Sequence, residues 1–240
     1  FWIFFYNLFL YPLFFTEACI GALFNKKLRK GIMGRWHTHS QLLLFKEKVT
    51  KSTNVYWFHA ASHGEFEQLK PILEGVKDVE PSSASIVSFF SPSGYTNVED
   101  AHIDCKIYLP FDFSWTVFRV LKLIHPKKII FAEYDVWPNM VWIANLVNIP
   151  TTIFSVHFSN RTPKLLPVIR NFYRTVYGTF SHIYSETASD HEKVQRLIGT
   201  PSISKVKVLG NPRYDQVKKK TDQFTENRTL SVLLRKKTII

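Results

Sequence analysis

The stretch Trp57-Phe58-His59-Ala60-Ala61-Ser62-His63-Gly64-Glu65 decides the fold. The aromatic and β-branched run over 54–58 reads as a buried strand. It ends in small and polar residues, and Gly64 and Glu65 then open a helical stretch. A carboxylate therefore stands where a strand ends and a helix begins, the edge of an open α/β sheet at which ligands bind. Working outward, strands are expected over 55–58, 86–90, 106–109, 128–132, 151–154, 182–185 and 205–209. Helices are expected between them, over 65–79, 115–124, 138–147, 164–177 and 189–197. In the last of these, Val194, Leu197 and Ile198 recur at helical spacing. Such alternation predicts an α/β fold with a Rossmann-like parallel sheet of right-handed βαβ units. Pro71 falls inside the first helix, so an irregular start is expected there, with regular helix from near Lys70. Pro138 suits a first helical turn, where its missing N–H costs little.

Composition narrows the function classes. The 240 residues carry a formal charge of +12 and 45% hydrophobic residues, enough for a true core and a preference for anionic partners. A nucleic acid, an acidic membrane and a phosphorylated ligand all satisfy that charge. The positive residues are spread out and no RNA-recognition or helix-turn-helix signature occurs, so a nucleic-acid-binding module is disfavoured and no nucleic-acid partner is expected. Cys19 and Cys105 lie far apart with no metal-ligand spacing, as suits a reducing cytosol, and no metal or cofactor is expected. No G-x-S-x-G elbow, P-loop or G-x-G-x-x-G fingerprint is present.

The N-terminal end is different. Residues 1–24 are mostly Phe, Leu, Ile, Trp and Tyr, with only Asn7, Thr16 and Glu17 clearly polar. A membrane-anchor helix over 1–25 is expected, at the lower limit of the roughly 20 apolar residues a span requires. A buried apolar helix is the alternative. Lys26, Lys27, Arg29, Lys30 and Arg35 follow in a basic juxtamembrane linker over 26–51, extended by Lys46, Lys48 and Lys51. Positive charge in that place keeps the following domain on the cytoplasmic side.

Four ordered motifs carry a family resemblance. His59-Ala60-Ala61-Ser62-His63-Gly64-Glu65 resembles the H-x-x-S-x-G-E motif of the Kdo (3-deoxy-D-manno-octulosonic acid) transferases, and Ser91-Pro92-Ser93-Gly94 resembles the small-residue loop after their second strand. Glu133-Tyr134-Asp135-Val136-Trp137-Pro138-Asn139 is similar to their E-x-E-x-W-P-N, and Gly210-Asn211-Pro212-Arg213-Tyr214-Asp215 to their G-N-x-K-F-D. The resemblance covers residues 1–217 and implies the N-terminal, acceptor-binding half of a GT-B glycosyltransferase, with its domain over 52–217. No further βα units follow the lysines at 218–220, so 218–240 reads as a basic tail and the second, donor-binding GT-B domain as absent.

The resemblance implies inverting transfer of Kdo from CMP-Kdo to the lipid A precursor, at the cytoplasmic face of the inner membrane, in lipopolysaccharide synthesis. Another GT-B transferase, or an inactive lipid-binding remnant, are the alternatives. Glu65 is the candidate base for the acceptor hydroxyl and Glu133 a second functional carboxylate. A helix N-terminus favours ionised Glu65, whereas burial opposes it; mere complementation of the helix dipole is the competing reading. Asp135 stands where the family often has Glu, which weakens its expected role. Trp137, Pro138 and Asn139 are expected to shape the loop and cap the helix. Ser62, His63, Gly64, Ser91, Ser93 and Gly94 offer hydroxyls and N–H groups at helix starts, places that accept phosphate or carboxylate, although ordinary turn chemistry explains them equally. His59 is either a packed histidine or a contact residue. Asn211 and Arg213 complete the substrate-binding candidates. The family's N-x-R-L-S is replaced by Ser155-Val156-His157-Phe158-Ser159, leaving His157 or Arg161 to receive an anionic group.

Overall fold

A computed structural model describes residues 1–133, 135–159, 162–199, 205–214 and 221. Its seven strands are β1 (Val55–Ala60), β2 (Ala84–Phe89), β3 (Cys105–Tyr108), β4 (Lys128–Ala132), β5 (Thr151–Val156), β6 (His182–Ser185) and β7 (Val206–Val208). They pair in parallel in the order β3-β2-β1-β4-β5-β6-β7. Each expected strand is present, β4 and β6 with the expected bounds and the others with an end shifted by one or two residues. Both faces of the sheet are covered, so the strands are continuously apolar rather than alternating. Trp57, Ile86, Ile129 and Ile153 point to one core. Their neighbours Phe58, Val87, Ile130 and Phe154 point to the other, where Phe66, Leu69 and Leu73 of the helix His63–Val79 cover them.

That helix corrects one expectation. It runs unbroken from His63 through Pro71. Proline removes one helical hydrogen bond, but Phe66, Leu69 and Leu73 are all buried on the sheet and hold the turns on either side. The stretch expected as one helix over 164–177 is instead a 3₁₀ turn, Pro163–Leu165, followed by the helix Pro167–Tyr177. Leu166 between them is extended, with φ −65° and ψ 142°, because a residue preceding proline is pushed out of the helical region.

The basic segment is folded rather than extended. Helices Lys26–Trp36 and Thr38–Lys48 occupy it. Asn25 caps the first by accepting from the N–H groups of Lys27 and Leu28. Thr38 donates to the Tyr108 carbonyl at 3.0 Å, and Leu42 and Phe45 are buried. A Cβ at Gly34 would fall 2.2 Å from the Tyr108 ring, so only glycine permits this approach to the end of β3.

Residues Trp2–Phe24 form one apolar helical run containing a π-type turn at Tyr6–Leu10. One side is fastened to the domain. The Tyr6 hydroxyl donates to Asp112 at 2.8 Å, Asn7 and Asn139 exchange amide hydrogen bonds, and the Tyr11 hydroxyl accepts from the Asp112 N–H. Trp2 meets Phe172 near one end, and Phe15 meets Phe111 and Phe113 further along. The opposite side exposes Phe4, Leu8, Leu13, Ile20 and Leu23.

Candidate active site

The strand order reverses between β1 and β4, and the crevice outside the carboxyl ends of such a pair is where ligands bind in open α/β sheets. The loop after β1 carries Ser62, the first turn of the helix that follows carries Glu65, and the loop after β4 carries Glu133 and Asp135. The sequence motifs therefore converge on one crevice because of topology, although Glu65 and Glu133 are far apart in the chain.

Ser62 is the N-cap of the helix His63–Val79, its hydroxyl 3.4 Å from the Glu65 N–H. The Glu65 carboxylate turns back and accepts from the Ala61 N–H at 2.7 Å. This resembles a capping box, shifted one residue towards the strand. Burial is the largest influence on this carboxyl and raises its pKa to about 7. The Ala61 hydrogen bond opposes the rise, Asp135 and Glu133 add to it, and His59 opposes it. Desolvation thus outweighs the Ala61 hydrogen bond that favours the ionised form.

His59, on β1, is fully buried. Its Nδ1 lies 3.0 Å from both the carbonyl and the hydroxyl of Ser88, and its Nε2 lies 3.0 Å from Asp135 Oδ2. It is thus a packed histidine that holds Asp135, and in this way it serves the site without lining it. Glu133 has a left-handed backbone, φ 52°, a conformation costing an ordinary residue on the order of 1–3 kcal/mol. Its N–H donates to the Phe154 carbonyl at 3.0 Å, and its carboxylate accepts from buried Gln68.

The other candidates separate. Ser91 is tied to the first loop, its N–H donating to the Ala61 carbonyl at 2.8 Å, and its hydroxyl lies 2.8 Å from that of Ser93. Gly94 has a packing role: a Cβ there would fall 2.4 Å from the Phe89 ring. Arg213 reaches across to the Gly64 carbonyl at 3.1 Å. His63 is exposed and faces Glu67 at 3.7 Å, outside the cluster. His157 pairs with buried Asp190 at 3.1 Å, and Asn211 donates to Glu186 at 2.6 Å, so both extend the carboxyl edge along β5 and β6. Arg161, Tyr134 and Asp215 lie outside the described residues.

Several working residues escaped the motif reading. Ser88 and Gln68 hold His59 and Glu133 but sit within a strand and a helix with no signal of their own. Asp112 is fully buried and accepts from Tyr6 and from the N–H groups of Asn139 and Met140, so it, and not the Trp137–Asn139 segment, caps the helix Pro138–Leu146. Glu186 and Asp190 belong to the same edge; the Thr187-x-x-Asp190 spacing is a readable cap signal. Among the described residues, Glu74, Asp100 and His102 bring ligating atoms within 4.8 Å of one another, but Lys70 already binds Asp100 at 2.8 Å.

Residues 35–216 match the family described as 3-deoxy-D-manno-octulosonic-acid transferase (kdotransferase). A 3-deoxy-D-manno-octulosonic acid transferase of Haemophilus influenzae is 27% identical over 66% of this chain and 37% of its own length. One from Chlamydophila psittaci is 26% identical over 91% of this chain and 50% of its own length. The chain thus spans half or less of the length of these curated relatives. Among solved structures, the UDP-GlcNAc 2-epimerase of Neisseria meningitidis superposes with a TM-score of 0.53 at 10% identity, covering 78% of this chain and 53% of that one. That likeness concerns the fold alone.

Proposed function

The chain belongs to the Kdo transferase family, and from that premise we propose that it takes part in inverting transfer of Kdo from CMP-Kdo to the lipid A precursor. Glu65 removes the proton from an acceptor hydroxyl, the freed oxygen bonds to the anomeric carbon of Kdo, and the bond from that carbon to CMP breaks as CMP leaves with its electron pair. The observation that carries this reading is the half-buried Glu65 carboxyl at the switch point, with a pKa of about 7. A base of that pKa is largely ionised just above neutrality yet basic enough to accept a proton, and such catalysis contributes about 10²–10⁴-fold. Asp135, fixed by His59, and Glu133, fixed by Gln68, orient the acceptor sugar. Ser91, Ser93 and Arg213 stand beside the crevice as partners for anionic groups.

The membrane is the second part of the proposal. The helix Trp2–Phe24 is apolar on its outer side and hydrogen-bonded to the domain on its inner side. It seats the crevice on the cytoplasmic face of the inner membrane by lying in the bilayer interface, with the cations of Lys26–Trp36 at the headgroups.

The test is Kdo transfer to a tetraacylated disaccharide bisphosphate by the complete gene product. CMP-Kdo is expected to serve as donor, and Glu65→Gln to lower kcat about 10²–10⁴-fold. Equal rates for the variant, or transfer from a UDP- or GDP-sugar in place of CMP-Kdo, would overturn the proposal.

A further inference from the structure

The buried histidine of β1 is ringed by hydrogen-bond acceptors. Trp57 Nε1 donates to the Ser88 hydroxyl at 2.9 Å, and that hydroxyl donates in turn to the Phe58 carbonyl at 3.2 Å. A serine hydroxyl has a single hydrogen to give. The two Ser88 atoms that lie 3.0 Å from His59 Nδ1, the hydroxyl and the carbonyl oxygen, are therefore both acceptors towards it. Nδ1 must carry a hydrogen. On the far side of the ring, Nε2 lies 3.0 Å from Asp135 Oδ2. A neutral imidazole with its hydrogen on Nδ1 would turn a lone pair towards that carboxylate, so this contact requires a proton as well. Among the described residues, Asp135 is the one carboxylate paired with the ring, and Phe131 packs against it at 5.8 Å. The ring is fully buried, where a charge persists only when it is paired and hydrogen-bonded. Both conditions are met here.

We propose that His59 is a positioning residue that acts through its charge: an imidazolium, with hydrogens on both ring nitrogens, that cancels the charge of Asp135 and so weakens the negative field on Glu65. The proton belongs on the ring rather than on the carboxyl because imidazole is the more basic group in water, with a pKa of about 6.5 against about 3.9. Glu65 responds to both partners. Burial is the largest influence on its pKa; beyond the Ala61 hydrogen bond, Asp135 raises it, His59 lowers it and Glu133 raises it. Arg213 reaches the same turn at the Gly64 carbonyl, and Asp135 lies in the fields of Arg35 and Asp112. With His59 charged, the crevice holds Glu65, Glu133 and one neutral pair. With His59 neutral, Glu65, Glu133 and Asp135 would repel one another uncompensated, and Glu65 would keep its proton above neutral pH. The pair therefore lets Glu65 ionise near pH 7. That link to catalysis rests on the transfer reading above; the proton on His59 does not.

The test is nuclear magnetic resonance of the full chain in dodecyl maltoside micelles, with isotope labels in the histidine ring nitrogens and the glutamate carboxyls. The His59 and Glu65 signals are identified by their loss in His59→Gln and Glu65→Gln. At pH 8, where free histidine is neutral, His59 is expected to show both ring nitrogens protonated. The Glu65 carboxyl is expected to titrate near pH 7. His59→Gln puts an uncharged donor in place of the ring, so the Glu65 midpoint should rise by about one pH unit. Adding Asp135→Asn removes the uncompensated charge and should bring the midpoint back down. A purely structural role for His59 predicts no such recovery. Unchanged signals from the other histidines identify a folded variant. A neutral His59 ring in the wild type at pH 8, in either tautomer, would overturn the proposal whatever the variants show. A Glu65 midpoint unmoved by His59→Gln, or not lowered by the added Asp135→Asn, would overturn it too. Neither readout needs turnover, so a failed transfer assay leaves the result intact.

Discussion

Glu65 shows what one residue's surroundings add to its sequence. Its place at a strand–helix junction is legible in His59-Ala60-Ala61-Ser62-His63-Gly64-Glu65, but its pKa of about 7 is not, because the desolvation comes from loops brought together by folding. Folding raises this carboxyl above its unfolded value, so the folded protein holds the proton more tightly. The stability the group contributes is therefore fully present at low pH and lost as pH rises through about 7. Glu65→Gln should raise the melting temperature at pH 8, by about 2–4 °C for each kcal/mol relieved, and leave it nearly unchanged at pH 4. Differential scanning calorimetry at both pH values checks this, and a lower melting temperature at pH 8 would contradict it. Glu133 offers a second contrast. Its φ of 52° favours glycine, so Glu133→Gly should be more stable than Glu133→Ala by roughly 1 kcal/mol, as read by urea denaturation. Neither variant supplies the carboxylate that accepts from Gln68.

At the scale of elements, the strands were legible because a parallel sheet covered on both faces writes unbroken apolar runs, as in Ile86-Val87 and Ile129-Ile130. The departures have local physical causes. Buried side chains carried a helix through Pro71, whereas Pro167 broke one that apolar spacing had joined. Asp112 was illegible because its partners, Tyr6, Tyr11, Asn139 and Met140, come from two distant elements. Its carboxylate caps one helix and fastens another, so Asp112→Ala should cost about 2 kcal/mol or more, from a lost cap and an orphaned buried hydroxyl. Hydrogen exchange should then show opening of both Trp2–Phe24 and Pro138–Leu146 together. Loss of protection in only one of them would refute this coupling.

At the scale of the whole molecule, composition marks an apolar end, but not that the end folds back on the domain. The cavity it encloses draws residues from both N-terminal helices and three loops, and no single stretch of sequence marks it. The outward face carries Leu13 and Ile20, 60% and 55% exposed, so Leu13→Glu with Ile20→Glu should abolish flotation with liposomes containing anionic lipid. Salt at 1 M, which shortens the screening length to about 3 Å, should weaken the wild type's binding without abolishing it, because the apolar contact remains. Each basic residue near such a surface adds about 1 kcal/mol. Residue, element and molecule meet at the switch point between β1 and β4, where the account stands or falls on one ionisable group. The most direct measurement is the pH dependence of kcat/KM for Kdo transfer by the complete gene product, with and without Glu65→Gln. The account predicts a wild-type rate that rises with pH through an inflection near 7, and a variant about 10²–10⁴-fold slower that lacks this limb. A wild-type profile flat from pH 5 to pH 8, or a variant as fast as the wild type, would contradict it.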